Sequence, residues 1–82
     1  MKYEIRIAKT NGDTPVKARA SVLLDDCFVA TGFKVIEGRN GLFVAAPSRK
    51  TKDDKHRDIT YPATREFRDE LYGAILDAYD NL

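Results

Sequence analysis

The hydrophobic pattern of this chain changes period about two-thirds of the way along, and that change leaves few folds open. Over residues 2–9, Tyr3, Ile5 and Ile7 alternate with Lys2, Glu4 and Arg6. A second run alternates Val16, Ala18, Ala20, Val22 and Leu24 with Lys17, Arg19 and Ser21. A period of two marks a strand with one buried face. From Phe67 onward the apolar residues Phe67, Leu71, Ala74, Ile75, Ala78, Tyr79 and Leu82 fall instead on one stripe at helical spacing. Thr64 is placed to cap that helix, and Glu66 in its first turn suits the helix dipole. Gly73 within it costs roughly 1 kcal/mol relative to alanine.

Turn chemistry separates the strands. Asn11-Gly12-Asp13 ends the first, because Gly and Asn adopt positive φ at little steric cost. Asp25-Asp26 ends the second as a tight hairpin rather than as an acid–base pair. Residues 27–37 are rich in β-branched and aromatic side chains and predict a third strand. In strict alternation Phe28 and Ala30 take one face of it, and Phe33 and Val35 the other. A bulge at Gly32 reconciles the two halves. Gly38-Arg39-Asn40-Gly41 predicts the next hairpin, its glycines serving the turn and not a phosphate loop. Leu42 to Ala46 is a short fourth strand, stopped by Pro47. Ser48 to Asp58 reads as polar loop, and Ile59 to Tyr61 as a candidate fifth extended piece. The expected fold is α+β: a four-stranded antiparallel β-sheet meander, or a five-stranded one if the last extended piece joins it, with one C-terminal helix on one face, as a single domain over residues 1–82.

An 82-residue chain buries only a little more than about 60% of the surface its unfolded form exposes, so the core is thin. One helix covers one sheet face. The other, with Lys17, Arg19, Ser21 and Leu23, is expected to face solvent, and free sheet edges invite pairing with a second copy as a homodimer. The single cysteine, Cys27, cannot form a disulfide within the chain and reads as a small buried hydrophobe. No apolar run approaches the roughly 20 residues that cross a bilayer, and the first residues lack a signal-peptide pattern. A cytoplasmic protein without membrane contact is the expectation.

The net charge is only +1, but it is unevenly distributed. Arg49, Lys50, Lys52, Lys55 and Arg57 stand against Asp53 and Asp54, a local +3. From Glu66 to Leu82 five acids stand against Arg68, a local −4. A basic segment neutralises phosphates and releases counterions, which gives affinity with little sequence information. Arg49 and Arg57 add bidentate geometry that lysine lacks. Arg65 and Arg68 stand near the helix N-terminus, whose free donors also attract anions. Packing or capping roles suit them equally. Asp53 and Asp54 oppose such binding unless they are turned away.

Catalytic readings are weaker. His56 with Asp53, Asp54 and Asp58 lacks the spacing of a zinc or calcium site. Ser48, His56 and Asp58 supply triad residue types without a nucleophile-elbow sequence. No cofactor, small-molecule substrate or enzymatic activity is expected. Tyr79 reads as core. Tyr61 stands beside the basic segment, where stacking on a base competes with packing against the helix start.

The run Lys34-Val35-Ile36-Glu37-Gly38-Arg39-Asn40-Gly41-Leu42-Phe43-Val44-Ala45-Ala46-Pro47-Ser48-Arg49-Lys50-Thr51 closely resembles the central signature of the SpoVG (stage V sporulation G, septation regulator) family. The resemblance resumes at Arg57-Asp58-Ile59 and Tyr61-Pro62. It is also present upstream at Ala20-Ser21-Val22-Leu23-Leu24-Asp25 and Phe28-Val29. It implies a dimeric, sheet-based bacterial regulator that binds DNA and, in some members, RNA, with effects on sporulation, septation or gene expression. It assigns contacts to Arg49 and Lys50, directly after Pro47-Ser48, and Arg57 also fits the family pattern. Between Thr51 and Arg57 this chain has Lys52-Asp53-Asp54-Lys55-His56 where members more often carry a Pro-Asp-Gly turn and an aromatic residue. Lys52 and Lys55 therefore rest on charge alone, and another loop shape is expected. The rival is a regulator that works through protein partners, using an open sheet edge and the acidic helix.

Overall fold

The computed structural model describes residues 2–10 and 14–82. The Asn11-Gly12-Asp13 turn lies outside the described residues. Strands β1 (Tyr3–Lys9), β2 (Val16–Leu24), β3 (Phe28–Gly38) and β4 (Gly41–Ala45) form one antiparallel sheet in the order β1-β2-β3-β4. A second, two-stranded sheet pairs β5 (Ser48–Lys50) with β6 (His56–Asp58), and helix α1 spans Arg65–Asp80. The α+β meander with a C-terminal helix is the expected one.

Both predicted hairpins within the large sheet form. Asp25 (φ 48°) and Asp26 (φ 56°) are left-handed, and the Cys27 N–H donates to the Leu24 carbonyl at 3.0 Å. The two left-handed residues form the centre of the turn, and the pairing of Leu24 with Phe28 leaves Asp25, Asp26 and Cys27 between the strands. Lys2 fastens it to β1: its backbone N–H donates to the Asp25 carboxylate at 2.9 Å, and its ammonium reaches Asp26 at 2.8 Å. Cys27 is exposed, contrary to its reading as a buried hydrophobe, because it closes the turn instead of entering the strand.

The bulge stands where the conflicting phases of β3 required it. Ala20 pairs with Phe33 and Val22 with Ala30, so Thr31 and Gly32 together oppose Ser21. Gly32 has φ +95°, and a Cβ there would stand 3.2 Å from the Pro47 Cβ. Both facts demand glycine. The extra residue lets Ala30, Phe33 and Val35 all face the core. A second slip, at Lys17, was not foreseen. Val16 pairs with Ile36 and Ala18 with Val35, which turns Val16 away from the stripe assigned to it and onto the opposite face.

The core joins Ala18, Ala20 and Val22 of β2, Ala30, Phe33 and Val35 of β3, and Val44 and Ala46 to Leu71 and Ile75 of α1. Thr64 caps the helix by accepting from the Phe67 N–H at 3.2 Å. Tyr3 meets Phe67 edge to face, with ring centroids 5.8 Å apart. The Lys9 ammonium lies 5.9 Å from the Tyr79 ring centroid. The helix therefore runs parallel to β1. The twelve helical steps from Phe67 to Tyr79 span roughly 18 Å, and the six strand steps from Tyr3 to Lys9 roughly 20 Å, so both anchors are met without distortion. Leu82 lies beyond the helix and is 54% exposed, so it drops out of the stripe. Tyr72 and Leu76, absent from the stripe read in the sequence, pack against the core instead, Tyr72 edge to face with Phe33 at 6.3 Å. No helix among the described residues is long and apolar enough to cross a membrane.

Candidate nucleic-acid interface

The segment read as polar loop is a hairpin. Ser48 pairs with Asp58, Arg49 with Arg57 and Lys50 with His56. At its foot the Ile59 N–H donates to the Pro47 carbonyl at 2.7 Å. Ile59 to Tyr61 consequently forms no strand: its first residue closes the hairpin and the chain then turns towards α1. At the tip the Thr51 N–H donates to the Lys55 carbonyl at 2.7 Å and the Asp54 N–H to the Thr51 carbonyl at 3.1 Å. The Thr51 hydroxyl adds a bond to the Lys55 carbonyl at 3.0 Å. Asp54 is left-handed at φ 60°. This is the three-residue loop that ordinarily ends in a left-handed glycine, and Asp54 occupies that position here.

Strand alternation sorts the charges. Arg49 and Arg57 are directly opposite each other and share one face. Lys55, paired with Thr51 one step further along, continues the same phase. Lys50, His56, Ser48 and Asp58 take the other face. There the Lys50 ammonium meets the Asp54 carboxylate at 3.2 Å, and both groups are largely exposed. One face of the hairpin is therefore basic, and Asp54 is held by a cation on the other. Lys52 and Asp53 occupy the tip.

Directly opposed like charges destabilise a strand pair. Two guanidinium charges about 6 Å apart repel by roughly 0.7 kcal/mol in bulk water, whereas one phosphate about 4 Å from each gains roughly 1 kcal/mol twice. An anion between Arg49 and Arg57 converts a local cost into a gain. Among the described residues neither arginine has an ion pair within the hairpin or outside it.

Arg57, Asp58 and Tyr61 border a shallow depression of about 320 Å³. The Tyr61 ring is 62% exposed there, available to a planar ligand, and also borders a small apolar crevice with Phe67 and Leu71. Tyr72 of α1 lies within electrostatic range of Asp58 of the hairpin. Burial pushes its phenol above the ordinary tyrosine value, the Asp58 carboxylate adds to the rise, and Arg68 offsets part of it. Arg65 opens the helix on a separate element, and no hydrogen bond or ion pair among the described residues joins it to the hairpin. Arg68 lies 3.9 Å from Asp69. Among the described residues no three His, Cys, Asp or Glu side chains are grouped to hold a metal ion.

Sequence reasoning placed Arg19 on the open face of the large sheet but missed the basic group it forms there with Arg6 and Lys34. Arg6 opposes Ser21, and Arg19 opposes Lys34. Their phases were legible strand by strand, but only the register brings them side by side.

The family model of SpoVG matches residues 1–81. Relatives bearing the name "Putative septation protein SpoVG" include one from Archaeoglobus fulgidus, 49% identical over 76 residues that cover 93% of this chain and 89% of that protein. One from Clostridium perfringens is 44% identical over 79 residues, 96% of this chain and 88% of its own length. A third, from Symbiobacterium thermophilum, is 49% identical over 76 residues, 93% of this chain but 54% of that longer protein. With a family match that spans residues 1–81 and relatives at 44–49% identity over more than nine-tenths of its length, the chain belongs to the SpoVG family.

Proposed function

We propose that this chain is a small cytoplasmic regulator, not an enzyme, that binds DNA or RNA through the β5–β6 hairpin and affects septation, sporulation or gene expression. The observation that carries the reading is the cross-strand pairing of Arg49 with Arg57. Lys50, Lys52 and Lys55 add charge around that pair, and Arg65 extends it towards the helix. The protein acts as a homodimer joined through sheet edges. β1 and β4 are the outer strands of the large sheet, and pairing either with a second copy satisfies its free backbone groups and enlarges a thin core. Two hairpins per dimer then engage two stretches of nucleic acid.

The test is affinity for labelled duplex DNA across a salt series, with Arg49→Gln, Lys50→Gln and Arg57→Gln combined. Three phosphate contacts per subunit give a slope of log affinity against log salt of about −5 for the dimer. The triple variant should flatten it towards zero while keeping its helical circular dichroism. Unchanged affinity in the folded variant removes the hairpin from function. A rival reading, action through protein partners, draws on the exposed Phe28 and Val29 beside the β2–β3 turn. Recovery of the same proteins after nuclease treatment would favour it.

A further inference from the structure

We propose that the open face of the four-stranded sheet is a second nucleic-acid contact, across which a single strand lies with its phosphates on Arg19, Lys34 and Arg6. The inference rests on the nucleic-acid reading above and extends it to a surface that shares no residue with the hairpin.

Three observations carry it. Arg19 and Lys34 are directly opposed on neighbouring central strands, the second like-charged pair in this small protein. Among the described residues neither has an ion pair; Glu37, three residues from Lys34, stands 3.7 Å from Lys17, and Glu4 of β1 stands 4.0 Å from Arg6. Next, Arg6, Arg19, Ser21 and Thr31 surround a shallow depression of about 450 Å³ whose floor includes Gly32. It offers two guanidinium groups and two hydroxyls to one nucleotide. The same Gly32 abuts Pro47, the residue from which the β5–β6 hairpin springs. The floor of the depression and the start of the hairpin are therefore neighbours along the sheet, while Asp58 and Tyr61 beyond it lie towards the helix side.

The occupant follows from the chemistry of the face. Phe43, 48% exposed, pairs with Ile36 on this same face, one pleat from the Lys34–Ala45 pair. A flat sheet with cations and an exposed ring suits unpaired bases, which stack while their phosphates are neutralised. A duplex keeps its bases inside and cannot offer them to a depression or a ring. A second copy packed here about a two-fold axis would set the same cationic patch against itself.

The experiment compares the unmodified protein, the hairpin triple variant and the double variant Arg19→Gln/Lys34→Gln on a labelled oligouridine and on duplex DNA, with sedimentation to follow oligomeric state. The double variant should fold at least as stably, since it relieves a like-charge pair. Its salt slope on the single strand should flatten by about 1.4 per chain, two contacts at roughly 0.7 each. The charge-preserving Arg19→Lys/Lys34→Arg variant should restore that slope. Unchanged single-strand binding by the double variant overturns the proposal, as does a loss confined to duplex. A shift in its oligomeric state assigns the face to a second copy and overturns it too. Failure of the unmodified protein to bind either nucleic acid sinks the proposed function itself, an outcome distinct from these.

Discussion

Asp54 shows how one residue sets both the shape and the charge of the hairpin. It occupies the left-handed region at φ 60°, which costs an L-residue roughly 1–2 kcal/mol, less for Asp than for most. Its carboxylate also occupies Lys50. Exposed pairs of this kind are worth about 0–1 kcal/mol, so the strain and the pair are of similar size and nearly cancel. Asp54→Gly should therefore leave the melting temperature unchanged or slightly raised. It also removes a negative charge and frees Lys50, so affinity for nucleic acid should rise and the salt slope steepen by up to about 0.9 per chain on duplex DNA. Weaker binding would mean that the Lys50–Asp54 pair holds the hairpin in its binding shape. At the same scale, Gly32 and Cys27 mark the difference between what local chemistry announces and what it does not. A conflict of strand phase pointed to a bulge at Gly32. Nothing in the residues around Cys27 distinguished the last turn position from the first strand position.

The helix is the element whose sequence and structure agree best, because its cap, its stripe and its length are all local properties. Its one inefficiency is Gly73, exposed, with nothing within 4 Å of where a Cβ would stand. Gly73→Ala should stabilise the protein by roughly 0.5–1 kcal/mol, which for a domain of this size raises the melting temperature by about 2–8 °C. An unchanged or lower value would indicate that this turn of the helix meets a partner in solution. The stripe itself needed correction at its margins. Leu82 lies past the last helical turn, and Tyr72 and Leu76 pack on the core because the sheet beneath is wider than a narrow stripe covers. The hairpin was harder to read. Three-residue strands carry almost no periodic signal, and every one of its strand residues is exposed, so no apolar alternation betrays it.

At the scale of the whole molecule, Tyr3 and Tyr72 connect the parts. Burial raises both phenols above their ordinary value of 10.0, with Glu70 adding to the rise at Tyr3 and Asp58 at Tyr72. Below that value both the folded and unfolded states hold the protons and the stabilisation is complete. Above it the unfolded chain releases them first, and stability falls as pH rises through the raised folded values. Thermal unfolding followed from neutral pH to above 10.0 should show this loss, and Tyr72→Phe should make it smaller. An identical alkaline loss in the variant would remove Tyr72 as a contributor. What the sequence determined by itself was short in range: the strand and helix periods, the Thr64 cap, the Asp25-Asp26 turn, the Gly32 bulge and the presence of a basic segment. Each depends on residues a few positions apart, whose backbone preferences act before any distant contact forms. Only the tertiary structure decided that Arg49 faces Arg57, that Arg19 faces Lys34, and that Val16 turns away from the core. Those relations depend on strand register, and a slip of one residue reverses every face. The packing of the whole sheet against one helix fixes that register, and no stretch of neighbouring residues encodes it.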